Sequence, residues 1–184
     1  MPRAISAVNS ENEIQERLEQ HFERHGWVAI REASPRNSNV RADLIVSHDD
    51  YGWFGIETKY FDGDGGGKVA DAHHQIVSKY RGKRYIGHRI DLWAICPYFS
   101  GWDSDDDWYK KRAKHRDQLI RELFCRHGVG YVNPLRDPLL LDFAYSVAEQ
   151  KVPVATDRQT RHHENVDVEL IRESVTRKME EYEY

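Results

Sequence analysis

The sequence predicts an α/β fold in which one mixed central sheet is flanked by helices. An apolar residue recurs at every fourth position near the start of the chain, which is typical of an amphipathic helix. Short apolar runs follow, and glycine, proline or aspartate separates them, as expected for strands joined by turns. A chain of 184 residues suffices for one domain with one core. The predicted order is helix, three strands, helix and strand (αβββαβ), followed by a further helix and strand.

The first helix is predicted over residues 10–25. Its apolar stripe repeats at four-residue spacing and consists of Ile14, Leu18 and Phe22. Ser10, with an acid three residues later, fits a capping box at the start of this helix.

The remaining elements follow from the alternation of apolar runs and turn residues. Strands are predicted at residues 27–32, 41–47, 53–60 and 89–96, with shorter strands near 130 and at 139–144. Helices are predicted at 68–80, 108–127 and 166–183, the last of them on the surface. Pro97 is expected to end the fourth strand. Residues 1–150 are expected to form one domain, and residues 151–184 a polar linker with the C-terminal helix.

Composition excludes several classes of protein. Apolar residues make up 39% of the chain and charged residues 32%, with five Trp, ten Tyr and six Phe, which is typical of a globular rather than a disordered chain. No apolar run approaches the ~18 residues of a membrane span, and the first ten residues lack the apolar centre of a signal peptide. Cys96 and Cys125 are too few for a disulfide scaffold or a zinc cluster. We therefore expect an intracellular, cytoplasmic protein without a membrane partner.

Basic residues concentrate in the middle of the chain, although the net charge is -4. Residues 68–89 carry six Lys or Arg against one acid, and residues 110–126 carry seven against two. A basic middle suits an anionic partner, nucleic acid above all. A solvated helix face is the alternative interpretation of the same charges.

Two adjacent strands are predicted to bring acidic side chains together. If residues 48–52 form a five-residue hairpin loop, the register of the two strands follows. The resulting pairs are Ser47 with Trp53, Ile45 with Gly55, and Asp43 with Glu57. Because side chains alternate between the faces of a strand, Lys59 shares the face of Glu57.

This cluster of charges indicates a particular chemistry. Two carboxylates at such a short distance repel each other, so either a cation binds between them or the pKa of one rises. Mg²⁺ prefers hard oxygen ligands and accepts one or two carboxylates while it keeps several waters. A lysine beside such a site holds or deprotonates the attacking water and stabilises negative charge at phosphorus. The pattern predicts metal-assisted phosphodiester hydrolysis, with an ordinary cross-strand charge cluster as the alternative.

The segment RADLIVSHDDYGWFGIETK, residues 41–59, resembles the motif region of the PD-(D/E)xK nuclease superfamily. The resemblance spans roughly residues 10–100 and extends to resolvase-like and RecB-like members. It implies the restriction-endonuclease-like fold, a divalent metal (Mg²⁺ or Mn²⁺) bound by Asp43 and Glu57, and a water or scissile phosphate positioned by Lys59. One departure is visible, because alanine precedes the aspartate where the family motif has proline.

Further site residues are implied by the same resemblance. Several relatives carry a glutamine on the next helix, which corresponds to Gln75, with Lys79 rather than Tyr80 at the four-residue spacing that follows. Others add an acid from the first helix, for which we select Glu11, since it lies near the centre of the apolar stripe. A favourable helix dipole is the alternative reason for an acid there. The expected nucleic-acid contacts are Lys68, Lys79, Tyr80, Arg81, Lys83 and Arg84, with stacking by Tyr80 and Tyr85.

The sequence thus predicts a Mg²⁺- or Mn²⁺-dependent DNA nuclease in which water attacks phosphorus and no covalent intermediate forms. RNA stays open as a substrate, and a homodimer is one expectation, since junction and site-specific cutters are usually symmetric. The first alternative is a nucleic-acid-binding or assembly module that has the same fold and no turnover. A second alternative is an unrelated α/β protein whose hairpin acids are coincidental.

Overall fold

The computed structural model describes residues 3–62, 66–143, 151–155 and 167–181. The helices are α1 (Glu11–Arg24), α2 (Gly66–His74), which continues as a π-helical segment (Gln75–Tyr80), α3 (Asp107–Arg126), which follows a 3-10 turn (Ser100–Asp103), and α4 (Val168–Glu181). The strands are β1 (Val28–Ala33), β2 (Ala42–His48), β3 (Gly52–Phe61), β4 (Arg84–Tyr85), β5 (His88–Arg89), β6 (Trp93–Phe99), β7 (Gly130–Tyr131), β8 (Leu140–Asp142) and β9 (Lys151–Pro153).

Seven of these strands form one mixed sheet in the order β1-β2-β3-β6-β7-β8-β9. The pairs β1–β2 and β2–β3 are antiparallel, β3–β6 and β6–β7 are parallel, and the remaining pairs are antiparallel. The strands β4 and β5 form a separate two-stranded hairpin. The predicted α/β class, with a mixed sheet flanked by helices, is confirmed.

The start of α1 follows the predicted capping pattern. The Ser10 hydroxyl accepts a hydrogen bond from the Glu13 backbone N–H at 3.2 Å, which satisfies one amide that the helix itself leaves unpaired. Ile14, Leu18 and Phe22 are fully buried against the sheet. The local sequence is therefore sufficient to predict both the start of this helix and its buried face.

The register of β2 and β3 agrees with two of the three predicted pairs, and the loop is shorter than the predicted 48–52, because His48 pairs with Gly52. Ser47 pairs with Trp53 and Ile45 with Gly55, and the observed pairs continue to Leu44 with Ile56. The observed pairing ends there, so the predicted pair of Asp43 with Glu57 is not part of it. Asp43, the next residue of β2, accepts hydrogen bonds from Thr58 of β3.

The two faces of the sheet carry different cores. Leu44 and Ile56 lie in the core that contains α1 and α4, whereas Ile45 and Trp93 lie in the core that contains α2 and α3. Since side chains alternate, Glu57 shares the α2 face with the odd-numbered residues of β3.

Two strand boundaries differ from the prediction. β6 begins at Trp93, because the residues before it form the β4–β5 hairpin, and it continues beyond Pro97 to Phe99. The carbonyl of Ile95 accepts from Val132 N–H on the β7 side. Because backbone groups alternate in direction along a strand, the nitrogen of Pro97 also points toward the β7 side. β7 has already ended at this level, so the missing N–H of proline costs no sheet hydrogen bond. The expectation that Pro97 ends the strand is wrong.

The expected linker begins with ordered structure. Lys151–Pro153 forms an edge strand paired with β8, and Val152 and Val154 are fully buried. The last helix is not a purely surface element, because Ile171 and Val175 lie in the same core as α1. These apolar contacts come from residues far away in sequence, which the polar local composition does not reveal. The rest of the expected linker, residues 156–165, lies outside the described residues.

Within the described ranges, no helix is both long enough and apolar enough to cross a lipid bilayer.

Candidate active site

Asp43, Glu57 and Lys59 lie together where β2 and β3 run side by side. Asp43 is held by Thr58, whose backbone N–H and hydroxyl donate to Asp43 Oδ2 at 2.8 and 2.9 Å. The Lys59 ammonium nitrogen lies 3.4 Å from Glu57 Oε1. The hairpin therefore gathers the three side chains of the sequence motif into one cluster.

Glu57 is the deeply buried member of this cluster. It is 1% exposed, and its Oε2 has no hydrogen-bond partner. Burial, and next the neighbouring Asp43 carboxylate, raise the pKa of Glu57 from 4.5 to about 9, although Lys59 acts in the opposite direction. A buried, unpartnered carboxylate oxygen is costly. The two carboxylates therefore require either a shared proton or an added cation near neutral pH.

A polar relay that the sequence did not reveal supports Asp43 from the other face of the sheet. The Thr58 hydroxyl, which donates to Asp43, accepts from Gln15 Nε2 at 3.4 Å. Gln15 Oε1 in turn accepts from the Arg31 guanidinium at 3.4 Å. Gln15 and Thr58 are both buried, so this relay connects α1 and β1 to the carboxylate cluster. The sequence feature that could have indicated burial of Gln15 is its position directly after Ile14, a residue of the apolar stripe.

The first-helix acid selected from the sequence lies close to the cluster. Glu11 Oε1 is 3.9 Å from Lys59 Nζ, and its side chain is 37% exposed. Lys59 thus stands between two carboxylates, one buried and one partly open to solvent. This position makes Glu11 an electrostatic partner of the lysine.

Gln75 begins the π-helical segment that follows α2. Its Oε1 is buried and has no hydrogen-bond partner. The next residue, Ile76, packs into the α2-side core with Ile45. A π-helical turn has one more residue than an α-turn, which shifts the side chains behind it relative to the expected 100° spacing. The sequence periodicity could not anticipate this shift.

Tyr80, at the end of the π-helical segment, belongs to the wall of the cluster. It is 5% exposed, its hydroxyl donates to the Arg41 carbonyl at 3.1 Å, and its ring lies 5.3 Å from the Trp93 ring. Burial, and next the charge of Glu57, raise the pKa of the Tyr80 phenol. Tyr85 is fully buried as well. The expectation that these two rings stack on nucleic acid is wrong, because the core that surrounds Trp93 encloses both.

The basic residues named from the sequence have different environments. Lys68, Lys79 and Arg84 are exposed, and Lys83 is half-buried. Arg81 instead donates to the His127 carbonyl at the end of α3 at 2.8 Å, and burial lowers its pKa to about 10. Arg81 therefore joins two elements of the fold, whereas the exposed cations are available to a ligand.

The cluster contains oxygen donors of the kind that bind a divalent cation. Among the described residues, no three His, Cys, Asp or Glu side chains converge into a complete cage. Mg²⁺ needs no such cage of side chains, because it keeps several waters and binds through one or two carboxylates. Asp43 and Glu57 supply hard oxygen donors, and Glu57 Oε2 is an unsatisfied one. These residues fit a hydrated Mg²⁺ or Mn²⁺.

A separate apolar cavity of about 520 Å³ lies between the end of β3 and α3. Phe61, Phe99 and Leu119 are among its lining residues, and Asp43, Glu57 and Lys59 are not. The chemistry of the carboxylate cluster therefore does not extend into this cavity.

Comparisons of the chain with family models, with curated proteins and with solved structures find no match. The functional assignment therefore depends on the residues and geometry of the cluster itself.

Proposed function

We propose that this protein is a divalent-metal-dependent DNA nuclease of the PD-(D/E)xK type. The observation that carries the proposal is the pair formed by buried Glu57 and Asp43, with Lys59 3.4 Å from the buried carboxylate. A pair of this kind is costly to a fold that makes no use of it, because one carboxylate has to stay protonated or find a cation.

Asp43 and Glu57 are the residues that would hold Mg²⁺ or Mn²⁺. When bound, the metal supplies Lewis-acid activation of the scissile phosphate and a lower pKa for the attacking water. Thr58 keeps Asp43 in one orientation through two hydrogen bonds. The relay from Arg31 through Gln15 holds Thr58 in turn, and such supporting contacts commonly set the affinity of a metal site.

Lys59 is suited to stabilise the charge that develops at phosphorus. Its side chain is 13% exposed, so its ammonium acts in a partly desolvated environment in which electrostatic effects are stronger. Glu11 and Glu57 flank the ammonium at 3.9 and 3.4 Å and direct it into the cluster. Gln75, whose buried Oε1 has no hydrogen-bond partner, is the residue proposed from the family resemblance to orient the attacking water. Water is the nucleophile, so no covalent intermediate is part of the proposal.

DNA is the proposed substrate because cations lie on the segments that follow β3. Lys79 and Arg84 are exposed, and the segment 79–89 carries five Lys or Arg and no acid. Contacts between such side chains and phosphates supply sequence-independent affinity, which decreases with salt.

The test is cleavage of labelled linear duplex, single strand, flap and four-way junction with Mg²⁺, Mn²⁺ or EDTA. Wild type is compared with Glu57→Gln and Lys59→Ala, and with Glu16→Gln as a matched control, since Glu16 is an exposed carboxylate on α1. We expect metal-dependent cleavage by wild type and the control, with a loss of at least about a hundredfold in the two site variants.

Two results would contradict this proposal. Cleavage that persists in EDTA or in Glu57→Gln would remove the carboxylates from the chemistry. A folded wild type that retards DNA on a gel but cuts no substrate would favour the binding module without turnover.

A further inference from the structure

The β4–β5 hairpin stands apart from the main sheet. Tyr85 pairs with His88, so the loop consists of Ile86 and Gly87 alone. Both loop residues have positive φ, 52° and 80°. Two positive φ values in a two-residue loop are typical of a type I′ turn, which strongly favours Asn-Gly.

Ile86 is an unfavourable residue for this turn. A β-branched residue at positive φ is a genuine outlier, because its side chain crowds the backbone. Ile86 is also 52% exposed and belongs to neither apolar core cluster. Backbone strain and solvent exposure both disfavour isoleucine, so stability of the fold does not account for the residue.

Cations flank this apolar tip. Arg84, His88 and Arg89 are exposed. The Arg84 guanidinium donates to the Gly87 carbonyl at 3.5 Å, which directs it along the turn. Arg89 pairs with Asp91 at 3.0 Å, yet its side chain remains 64% exposed. An apolar side chain between cations is the arrangement by which proteins insert a wedge between base pairs while they hold the phosphates.

The hairpin is anchored beside the carboxylate cluster. The Tyr85 hydroxyl donates to the Tyr80 carbonyl at 3.1 Å. The His88 ring stacks on Trp53 with a centroid distance of 4.3 Å. Trp53 lies four residues before Glu57 on β3 and on the same face, which is about 13 Å along the strand. That distance corresponds to about four base-pair steps of duplex DNA.

We propose that the β4–β5 hairpin is a DNA wedge, in which Ile86 inserts between base pairs of a duplex while Arg84 and Arg89 contact the flanking phosphates. The proposal rests on the nuclease function proposed above and adds the substrate class, which is duplex DNA kinked within a few base pairs of the scissile bond. Unstacking brings the bent backbone toward the face of β3 that carries Glu57.

The test uses the full chain in EDTA and duplexes that carry 2-aminopurine at successive positions, since the fluorescence of this base rises when it is unstacked. Wild type is compared with Ile86→Asn, Ile86→Leu and Arg84→Gln. Val28→Thr is the control for loss of an equally exposed apolar side chain, because Val28 is 54% exposed and lies on the edge strand β1.

Ile86→Asn is the decisive variant, because asparagine tolerates positive φ. We expect its melting temperature to be unchanged or higher, its duplex affinity to fall about tenfold, and the fluorescence rise to disappear. Its salt dependence of binding should match wild type, since no cation is lost, whereas Arg84→Gln should lower the salt slope by about one. Ile86→Leu and Val28→Thr should behave as wild type.

The wedge is refuted if Ile86→Asn binds and unstacks the duplex as wild type does. It is also refuted if wild type raises the fluorescence at no position or does not bind duplex DNA. Metal-dependent cleavage of the same duplexes, measured separately with wild type, Glu57→Gln and Ile86→Asn, distinguishes the two proposals. Unimpaired cleavage by Ile86→Asn contradicts the wedge and leaves the nuclease intact, whereas the absence of cleavage by wild type contradicts the nuclease.

Discussion

Burial of Glu57 should make the protein less stable in EDTA as the pH rises. The pKa of Glu57 is about 9 in the folded protein and 4.5 where the side chain is solvated. Between these values the folded state keeps a proton that the unfolded state releases. The free energy of unfolding therefore falls as the pH rises from about 4.5 to about 9, and the full contribution is present only below this window.

The size of the effect follows from the width of the pH interval. Three pH units, from pH 5 to pH 8, correspond to at most about 4 kcal/mol of unfolding free energy. For a chain of this length, each kcal/mol shifts the melting temperature by about 2–4 °C. We therefore expect the Glu57 contribution to lower the melting temperature by at most about 8–16 °C over this interval.

The assay is thermal unfolding in EDTA at pH 5 and pH 8 for wild type, Glu57→Gln and Glu16→Gln. Burial lowers the pKa of His21 and His73 to about 4, which acts in the opposite direction and is common to all three proteins. The difference between wild type and Glu57→Gln isolates the carboxyl. Glu16→Gln should respond as wild type does. An identical pH response in wild type and Glu57→Gln would refute the reasoning.

Three further substitutions test the packing and the support of the site. Gly55→Ala should destabilise the protein by several kcal/mol in urea unfolding, because a Cβ at this position would lie 2.3 Å from the Trp93 ring; an unchanged midpoint would contradict the observed packing. Thr58→Val removes the hydroxyl that donates to Asp43, so calorimetric titration should show Mg²⁺ binding weakened by about tenfold, and unchanged affinity would exclude this support role. Ser10→Ala should cost about 1 kcal/mol of unfolding free energy through loss of the α1 cap, whereas no loss would make the cap irrelevant.

The sequence by itself determined the local parts of this structure. The cap and buried face of α1 follow from residues within one helix. The β2–β3 register follows from the position of one hairpin turn, and it brings Asp43 to the part of β3 that carries Glu57 and Lys59. Such features are predictable because the residues involved are close together in the chain.

Only the tertiary structure decided which side chains surround that cluster. Thr58 and Gln15 support Asp43 across the sheet, although no sequence spacing relates α1 to β3. Tyr80, chosen from the sequence as a nucleic-acid contact, lies in the wall of the site because Trp93 packs against it. Val152 and Val154 lie in a polar segment and are nonetheless buried. In each case the deciding contact joins residues that are distant in sequence, so the burial of a side chain depended on what the folded chain placed against it.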